Sequence, residues 1–320
     1  ITGNTIIYKP ATLTPLCAAT LVEIFHQAGL PAGVLNMVTG PAEVVGEAIV
    51  QHPNIRAVSF TGSVAAGKDI YAKASRMLKR VGLELGGKNP QIVMDDARVD
   101  LAVEGVLFGA FGTAGQRCTA TSRLIVQEKV YDELMKNLLA GTKALKVGNP
   151  LDSTIDVGPV ASAEQESKIL NYIQIGIEEG AKLIWGGKKL KGGPYDQGFF
   201  IAPTIFEAKH GMRITREEIF GPVLSVMKVR DYEEAVKIAN DVEYGLSSSI
   251  YTGSVNTAFQ AMQDLEAGVT YINAPTIGAE VHLPFGGVKN TGNGAREAGT
   301  EAIREFTEIK SVFIDFSGKL

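Results

Sequence analysis

Apolar positions recur along this chain with two periods, and the switching between them outlines the fold. Thr5 to Tyr8 read as a short buried strand. After Thr14-Pro15, the positions Leu16, Thr20, Leu21, Ile24 and Phe25 fall at helical spacing. Thr14 suits the N-cap, and Pro15 the first helical position, where its missing N–H costs nothing. Gly29 and Pro31 end that helix. A strand at Val34–Val38 follows, then a helix near Ala42–Gln51 and a strand at Ala57–Phe60. A turn at Gly62 leads into a helix from Ser63, and Val81–Leu85 close the series. This strand–helix alternation predicts a parallel sheet covered on both faces. We end the first unit, residues 1–85, near Leu85.

A second α/β unit is predicted over residues 86–305. Its strands are Ser122–Gln127, Phe199–Phe206, Val223–Val229 and Ser247–Tyr251. Its helices are Ala163–Gly180, Tyr232–Asn240 and Asn256–Glu266, and Gly186–Gly198, rich in Gly and Lys, reads as an exposed loop. Glu308–Phe316 alternates like a strand. A lone strand in the terminal segment, 306–320, is expected to join a sheet made elsewhere or by another subunit.

Composition narrows the function classes. With 320 residues the chain is long enough for roughly two domains. Its net charge of −4 leaves no basic footprint for nucleic acid. No stretch approaches the roughly 20 apolar residues of a membrane span, and no signal peptide opens the chain, so no membrane partner is expected. Two cysteines, Cys17 and Cys118, argue against a disulfide framework and for a reducing, cytoplasmic setting. Cys17 falls on a plausible core face of its helix. The four histidines are scattered, so no metal site is expected. Ile1 opens the chain without an initiating Met and leads straight into the strand at Thr5, as if a sheet were entered part-way.

Three motifs carry candidate chemistry. Cys118 sits in Gly115-Gln116-Arg117-Cys118-Thr119-Ala120, after an apolar stretch of small residues from Val106 to Ala114. A thiolate there can attack carbonyl carbon, and small neighbours leave room for a substrate. A buried structural thiol fits the same pattern. Glu84 stands among Val81, Leu83 and Leu85. Desolvation should raise its pKa and suit it to general-base work; an ordinary loop acid paired with a lysine is the other reading. Gly62-Ser63-Val64-Ala65-Ala66-Gly67 follows a strand and opens a helix, lacking the middle glycine of a dinucleotide fingerprint. It is either an anion site at a helix N-terminus or a plain turn capped by Ser63.

Taken together, these motifs resemble the aldehyde dehydrogenase superfamily. Leu83-Glu84-Leu85-Gly86-Gly87-Lys88-Asn89-Pro90, followed by Gly115-Gln116-Arg117-Cys118, is similar to its paired active-site signatures, at the family's separation of acid and cysteine. Tyr8-Lys9-Pro10, Phe60-Thr61-Gly62-Ser63, Glu217-Glu218-Ile219-Phe220-Gly221-Pro222 and Pro284-Phe285-Gly286-Gly287 match further family motifs in the right order.

The resemblance implies a partial Rossmann-like cofactor domain and an α/β catalytic domain. It implies NAD- or NADP-dependent oxidation of an aldehyde through a cysteine thioester, with Cys118 as nucleophile and Glu84 as base. Lys9, Thr12, Gly62, Ser63, Gly67, Leu85, Glu218 and Phe220 would hold the cofactor, and Arg117 and Phe285 would line the substrate side. Thr12 stands where NAD-preferring members often carry Glu, which leaves room for a 2′-phosphate. Residues 272–283 and Gln116–Thr121 are similar to members acting on semialdehydes, notably 2-oxoglutarate semialdehyde (2,5-dioxopentanoate) dehydrogenases.

Relatives start well upstream, with strands of the cofactor domain, an oligomerisation hairpin and an oxyanion asparagine. The chain is therefore expected to be truncated at its N-terminus, to have low activity alone, and to descend from a homo-oligomer (dimer or tetramer). A catalytically silent fragment or homologue with an assembly role, and a cysteine hydrolase without redox chemistry, are the competing readings.

Overall fold

The computed structural model describes residues 1–278 and 280–318. The first unit runs β1 (Ile6–Tyr8), α1 (Pro15–Gln27), β2 (Leu35–Met37), α2 (Glu47–Gln51), β3 (Ala57–Thr61), α3 (Val64–Ser75) and β4 (Arg80–Glu84). A π-helical turn at Ala42–Gly46 leads into α2. β1 pairs in parallel with β2, and β3 with β4, giving two separate two-stranded sheets. A small core of Val50, Val58, Ala74, Val81, Leu83 and Leu85 closes under α2 and α3.

One expectation fails in α1. Leu16, Leu21, Ile24 and Phe25 are exposed, and so is Cys17; the residues α1 buries are Ala18 and Val22. The helical period is present, but the wide apolar face finds no partner among the described residues.

The second unit is larger. It contains β5 (Asn89–Val93), α4 (Val99–Phe111), β6 (Thr121–Gln127), α5 (Glu128–Ala144), α6 (Ala163–Glu178), β7 (Lys182–Trp185) and β8 (Thr204–Glu207). Then follow α7 (Arg213–Arg216), β9 (Val223–Val229), α8 (Tyr232–Asn240), β10 (Tyr244–Gly245), β11 (Ser247–Tyr251), α9 (Val255–Asp264) and β12 (Val269–Ile272). Seven of these strands form one sheet in the order β12-β11-β5-β6-β9-β8-β7, parallel except for the β7–β8 pair.

Its central strands are buried on both faces, as parallel strands covered by helices must be. Val93, Leu124 and Val126 point toward α4, α5 and α6, while Ile92 and Ile125 point toward α8 and α9. The strand expected over Phe199–Phe206 begins only at Thr204. Pro203 has no N–H to give a ladder, so the chain before it makes only a bridge from Ile201 to Lys189.

β13 (Val288–Lys289) pairs antiparallel with β10, and α10 (Glu301–Glu305) follows. Between them the chain turns back onto the first unit. The Leu85 N–H donates to the Thr291 carbonyl (2.7 Å), the Leu83 N–H to Asn293 Oδ1 (3.2 Å), and Ser59 Oγ to Glu297 Oε1 (3.1 Å). The expected strand at Glu308–Phe316 pairs with no other part of the described chain, and Ile309, Val312, Phe313, Ile314 and Phe316 lie exposed. Among the described residues no helix is long and apolar enough to cross a membrane.

Candidate active site

Glu84 is the last residue of β4, and Cys118 lies in the loop between α4 and β6. The short crossing Leu85–Lys88 joins the two sheets, and the candidate groups gather around it. Glu84 is buried to 3% exposure, and neither carboxylate oxygen has a hydrogen-bond partner. Its carboxyl is pushed up to about 8, first by burial and then by the negative charge of Glu297, with Arg296 opposing. The direction is the one its apolar flanks predict. Gly286, beside Phe285, packs so closely on Glu84 that a Cβ there would stand 2.7 Å from Oε1. Phe285 itself is half-buried and exchanges main-chain hydrogen bonds with Glu297 (2.6 and 2.7 Å).

The nucleophile loop is built on an unusual turn. Thr113, Ala114 and Gly115 all take left-handed backbone angles, with φ of 55°, 53° and 65°. For residues with a Cβ this costs about 1–2 kcal/mol each. Gly115 sits against the Gly221 carbonyl, where no side chain fits. Gln116 Oε1 accepts the Ala161 N–H (2.9 Å). The exposed Arg117 donates from Nε to Thr113 Oγ1 (3.0 Å), and its guanidinium lies 5.7 Å from the Phe108 ring centre.

Cys118 is half-buried, and its carbonyl accepts from Asn89 Nδ2 (2.8 Å). Its thiol is pushed up by burial, then by the charges of Glu218 and Glu84, against main-chain hydrogen bonds at Thr119 and Cys118. These effects favour the thiol over the thiolate.

Glu218 joins the cluster from the loop before β9. Its Oε1 accepts the Gly87 N–H (3.0 Å), and its carboxylate lies against Gly86 where a Cβ would stand 2.5 Å from Oε2. A side chain on Gly87 would collide with the Cys118 carbonyl. The glycine pair thus lets the main chain touch an acid on one side and the cysteine loop on the other. Burial raises the Glu218 pKa; the Gly87 N–H, Lys168 and Lys88 pull it back. Phe220 is held in a left-handed conformation (φ 59°), its carbonyl accepting from Gln165 Nε2 (2.7 Å).

The other sequence candidates lie on the first unit. Ser63 caps α3, its Oγ accepting the Ala66 N–H (3.3 Å), and Gly62 and Ser63 are exposed at the start of a twelve-residue helix. Leu85 packs on the buried Gly67 of that helix, which ties the helix start to the residue after Glu84. Lys9 and Thr12 lie after β1, on a sheet that does not pair with the strands flanking Glu84 or Cys118. Lys9 Nζ donates to the Pro10 carbonyl (3.1 Å), and Thr12 is exposed, its Oγ1 reaching the Gly40 carbonyl at 3.4 Å.

Sequence reasoning gave no role to several residues that meet here. Lys88 is 1% exposed, its Nζ has no hydrogen-bond partner, and burial followed by the charge of Arg123 lowers its pKa to about 7. Asn89, Arg123, Arg296 and Glu297 belong to the same neighbourhood. Lys88 and Asn89 lie inside a motif already singled out. Arg123, the one charge in β6 and followed by Leu124, Ile125 and Val126, was a visible signal.

The sequence profile of the aldehyde dehydrogenase family matches residues 1–312. The chain belongs to the aldehyde dehydrogenase family. It is 45% identical over 313 residues to the alpha-ketoglutaric semialdehyde dehydrogenase of Bacillus subtilis, covering 98% of this chain and 64% of that protein. It is also 45% identical over 319 residues to human retinaldehyde dehydrogenase 3, covering 99% of this chain and 61% of that protein. Among solved structures, the NAD-dependent aldehyde dehydrogenase of Sinorhizobium meliloti superposes with a TM-score of 0.95 at 39% identity, over 98% of this chain and 61% of that one. The chain thus spans less than two thirds of the length of the family members it matches. Within that span the likeness covers both units and the crossing between them.

Proposed function

We propose that this protein oxidises an aldehyde to a carboxylate through a thioester on Cys118, with NAD or NADP as hydride acceptor. Glu84 carries the proposal. A buried carboxyl with two free oxygens, held near neutral pKa and close enough to Cys118 to act on its thiol electrostatically, suits proton transfer better than structure. In this reading the Cys118 thiol gives its proton to solvent and Sγ adds to the aldehyde carbon, whose oxygen takes up the negative charge as the C=O π bond opens. When bound, NAD or NADP would supply the hydride acceptor, and loss of hydride from that carbon as the C=O bond re-forms would leave the thioester. Glu84 then takes a proton from water as the oxygen attacks the thioester; the C–S bond breaks, the acid leaves, and the cysteine regains its proton.

The residues present fit a dinucleotide. The Gly62 N–H is already given to the Glu84 carbonyl (3.0 Å), so the exposed start of α3 from Ser63 onward would present the N–H groups of its first turn to a pyrophosphate, with Gly67 and Leu85 beneath it. Glu218 would accept hydrogen bonds from ribose hydroxyls, and Phe220 would pack against the same part of the cofactor. Lys9 and Thr12 would meet the adenosine ribose, where Thr12 brings no charge against a 2′-phosphate. On the substrate side would stand Phe285, next to the Gly286 that packs on Glu84, and Arg117, the cation next to the nucleophile.

A semialdehyde with an acid tail is the substrate class we favour, from the residues around Cys118 and before Pro284. The equal identity to a retinaldehyde dehydrogenase means that overall likeness does not choose between substrates. The exposed apolar run at Ile309–Phe316 supports a homo-oligomer, and the two free cysteines support a cytoplasmic setting. The test is turnover of 2,5-dioxopentanoate and of retinaldehyde, followed by NAD(P)H absorbance, in the protein and its Cys118→Ala variant. We expect the variant to lose activity by roughly 10³-fold or more while still binding NADH. Parent-like turnover in the variant would sink the assignment.

A further inference from the structure

Arg123 stands in the middle of the core with 0% exposure, flanked along β6 by Leu124, Ile125 and Val126. Among the described residues no carboxylate forms an ion pair with it. Its three guanidinium nitrogens each donate to a main-chain carbonyl at 2.8 Å: Nε to Lys88, Nη1 to Ile238 and Nη2 to Ala239. Burying a cation without a direct ion pair costs several kcal/mol of desolvation, only partly offset by the charge of Asp241, and an apolar side chain would fill this place without that cost.

Two of the three carbonyls belong to the last turn of α8, where main-chain acceptors lack helical partners and a positive charge is favoured. The third belongs to the crossing between the two sheets. That short piece of chain is where the site is held together. Gly87 gives its N–H to Glu218, Asn89 Nδ2 donates to the carbonyls of Cys118 and Ala120 (2.8 and 2.9 Å), and Thr291 Oγ1 donates to the Gly86 carbonyl (2.8 Å). The close packing of Gly86 and Gly87 leaves no slack for displacement. The Lys88 side chain adds no anchor, since its Nζ is unpartnered.

We propose that Arg123 is a positioning residue for the reaction. By holding the Lys88 carbonyl against the rigid end of α8, it keeps Gly87 in contact with Glu218 and with the Cys118 loop. Arg123 touches neither substrate nor cofactor; it acts through the crossing. The claim rests on the proposed function for its meaning, but the placement of Cys118 can be read without turnover.

The experiment compares the protein with Arg123→Lys and Arg123→Met. Folding is followed by circular dichroism and thermal melting. Two site readouts are the pH profile of iodoacetamide alkylation at Cys118, resolved by peptide mass, and the dissociation constant of NADH. Arg123→Lys keeps the charge but gives up the planar three-way fork. We expect both variants to fold. In each, the midpoint of Cys118 alkylation should fall by about half a pH unit or more, because a loosened crossing lets water reach the thiol and weakens the hold on Glu218. NADH should bind about tenfold more weakly, with Arg123→Lys less affected than Arg123→Met. A folded variant with a parent-like Cys118 profile overturns the proposal. So does failure of both variants to fold, which would assign Arg123 to core stability alone. If the parent itself binds no NADH, the proposed function fails, while the alkylation profile still decides the role of Arg123.

Discussion

The two units of this chain solve the same packing problem with unequal success. Both alternate strands and helices, and both carry wide apolar faces. In the second unit every central strand is flanked by strands and covered by helices, and Leu124 is 0% exposed. In the first unit the strands pair only two by two, and α1 leaves Leu16 80% exposed. Burying a leucine contributes about 1.5–3 kcal/mol, so the second unit gains at each position what the first forgoes. The candidate site lies on the seam between them. Glu84 ends a strand of the lightly packed unit, while Cys118 and Glu218 belong to the heavily packed one, and a short crossing with two glycines joins them.

The largest expected effect tests the seam. Glu84→Gln should slow thioester hydrolysis by about 10²–10⁴-fold, so that an acyl adduct on Cys118 accumulates under turnover and shows in the intact mass. An unchanged rate without adduct would remove Glu84 from the mechanism. The same variant has a pH signature. The Glu84 carboxyl is held at about 8 in the folded protein, above its unfolded value of roughly 4.3. The folded state therefore keeps a proton that the unfolded chain releases, and this group's contribution to stability falls as pH rises from the unfolded value to about 8. Glutamine cannot ionise, so Glu84→Gln should match the parent Tm near pH 4 and exceed it by several degrees near pH 8. In the parent, hydrolysis should rise with pH and level off above about 8.

The contrast between units predicts unequal costs of truncation. Leu124→Ala should destabilise by about 2–5 kcal/mol in urea unfolding. Leu16→Ala should change stability by no more than about 0.5 kcal/mol. A large loss at Leu16 would mean that the α1 face is covered in solution, and the comparison would have to be redrawn with another copy in place.

A smaller effect is expected at Thr12, at the far end of the first unit. Thr12→Glu should lower the ratio of kcat/KM for NADP over NAD by about tenfold, through repulsion of the 2′-phosphate. An unaltered ratio would put cofactor selection elsewhere. The smallest concerns the left-handed turn before the nucleophile. Ala114→Gly should stabilise the second unit by about 0.5–1 kcal/mol, because glycine adopts a positive φ without the Cβ penalty. A lowered denaturant midpoint would argue against that turn.

Much of the fold was legible along the chain. The helical period before Gly29, the capped helix from Ser63 and the strands at Val223–Val229 and Ser247–Tyr251 all stand where spacing and punctuation predict them. The chemistry-bearing motifs were legible too, because an acid among apolar residues beside two glycines is uncommon without a use. Periodicity showed that α1 has an apolar face but not whether anything covers it, since burial depends on neighbours supplied from elsewhere. It missed β5, α4, α5, β7 and β12, and it extended a strand through Pro203, where a lost N–H breaks the ladder.

By itself, the sequence determined many of the elements, the α/β class, the family resemblance and the candidates for the reactive side chains, all of which depend on local order and residue type. Only the tertiary structure decided which groups meet. It brought Gly286 and Glu297 back against Glu84 from some 200 residues further along the chain. It also left Lys88 without a partner and turned Arg123 inward onto three carbonyls. The reason is physical: pKa shifts, hydrogen-bond satisfaction and close approach of main chain arise from distances in space, and those are set when both units close on the crossing between them.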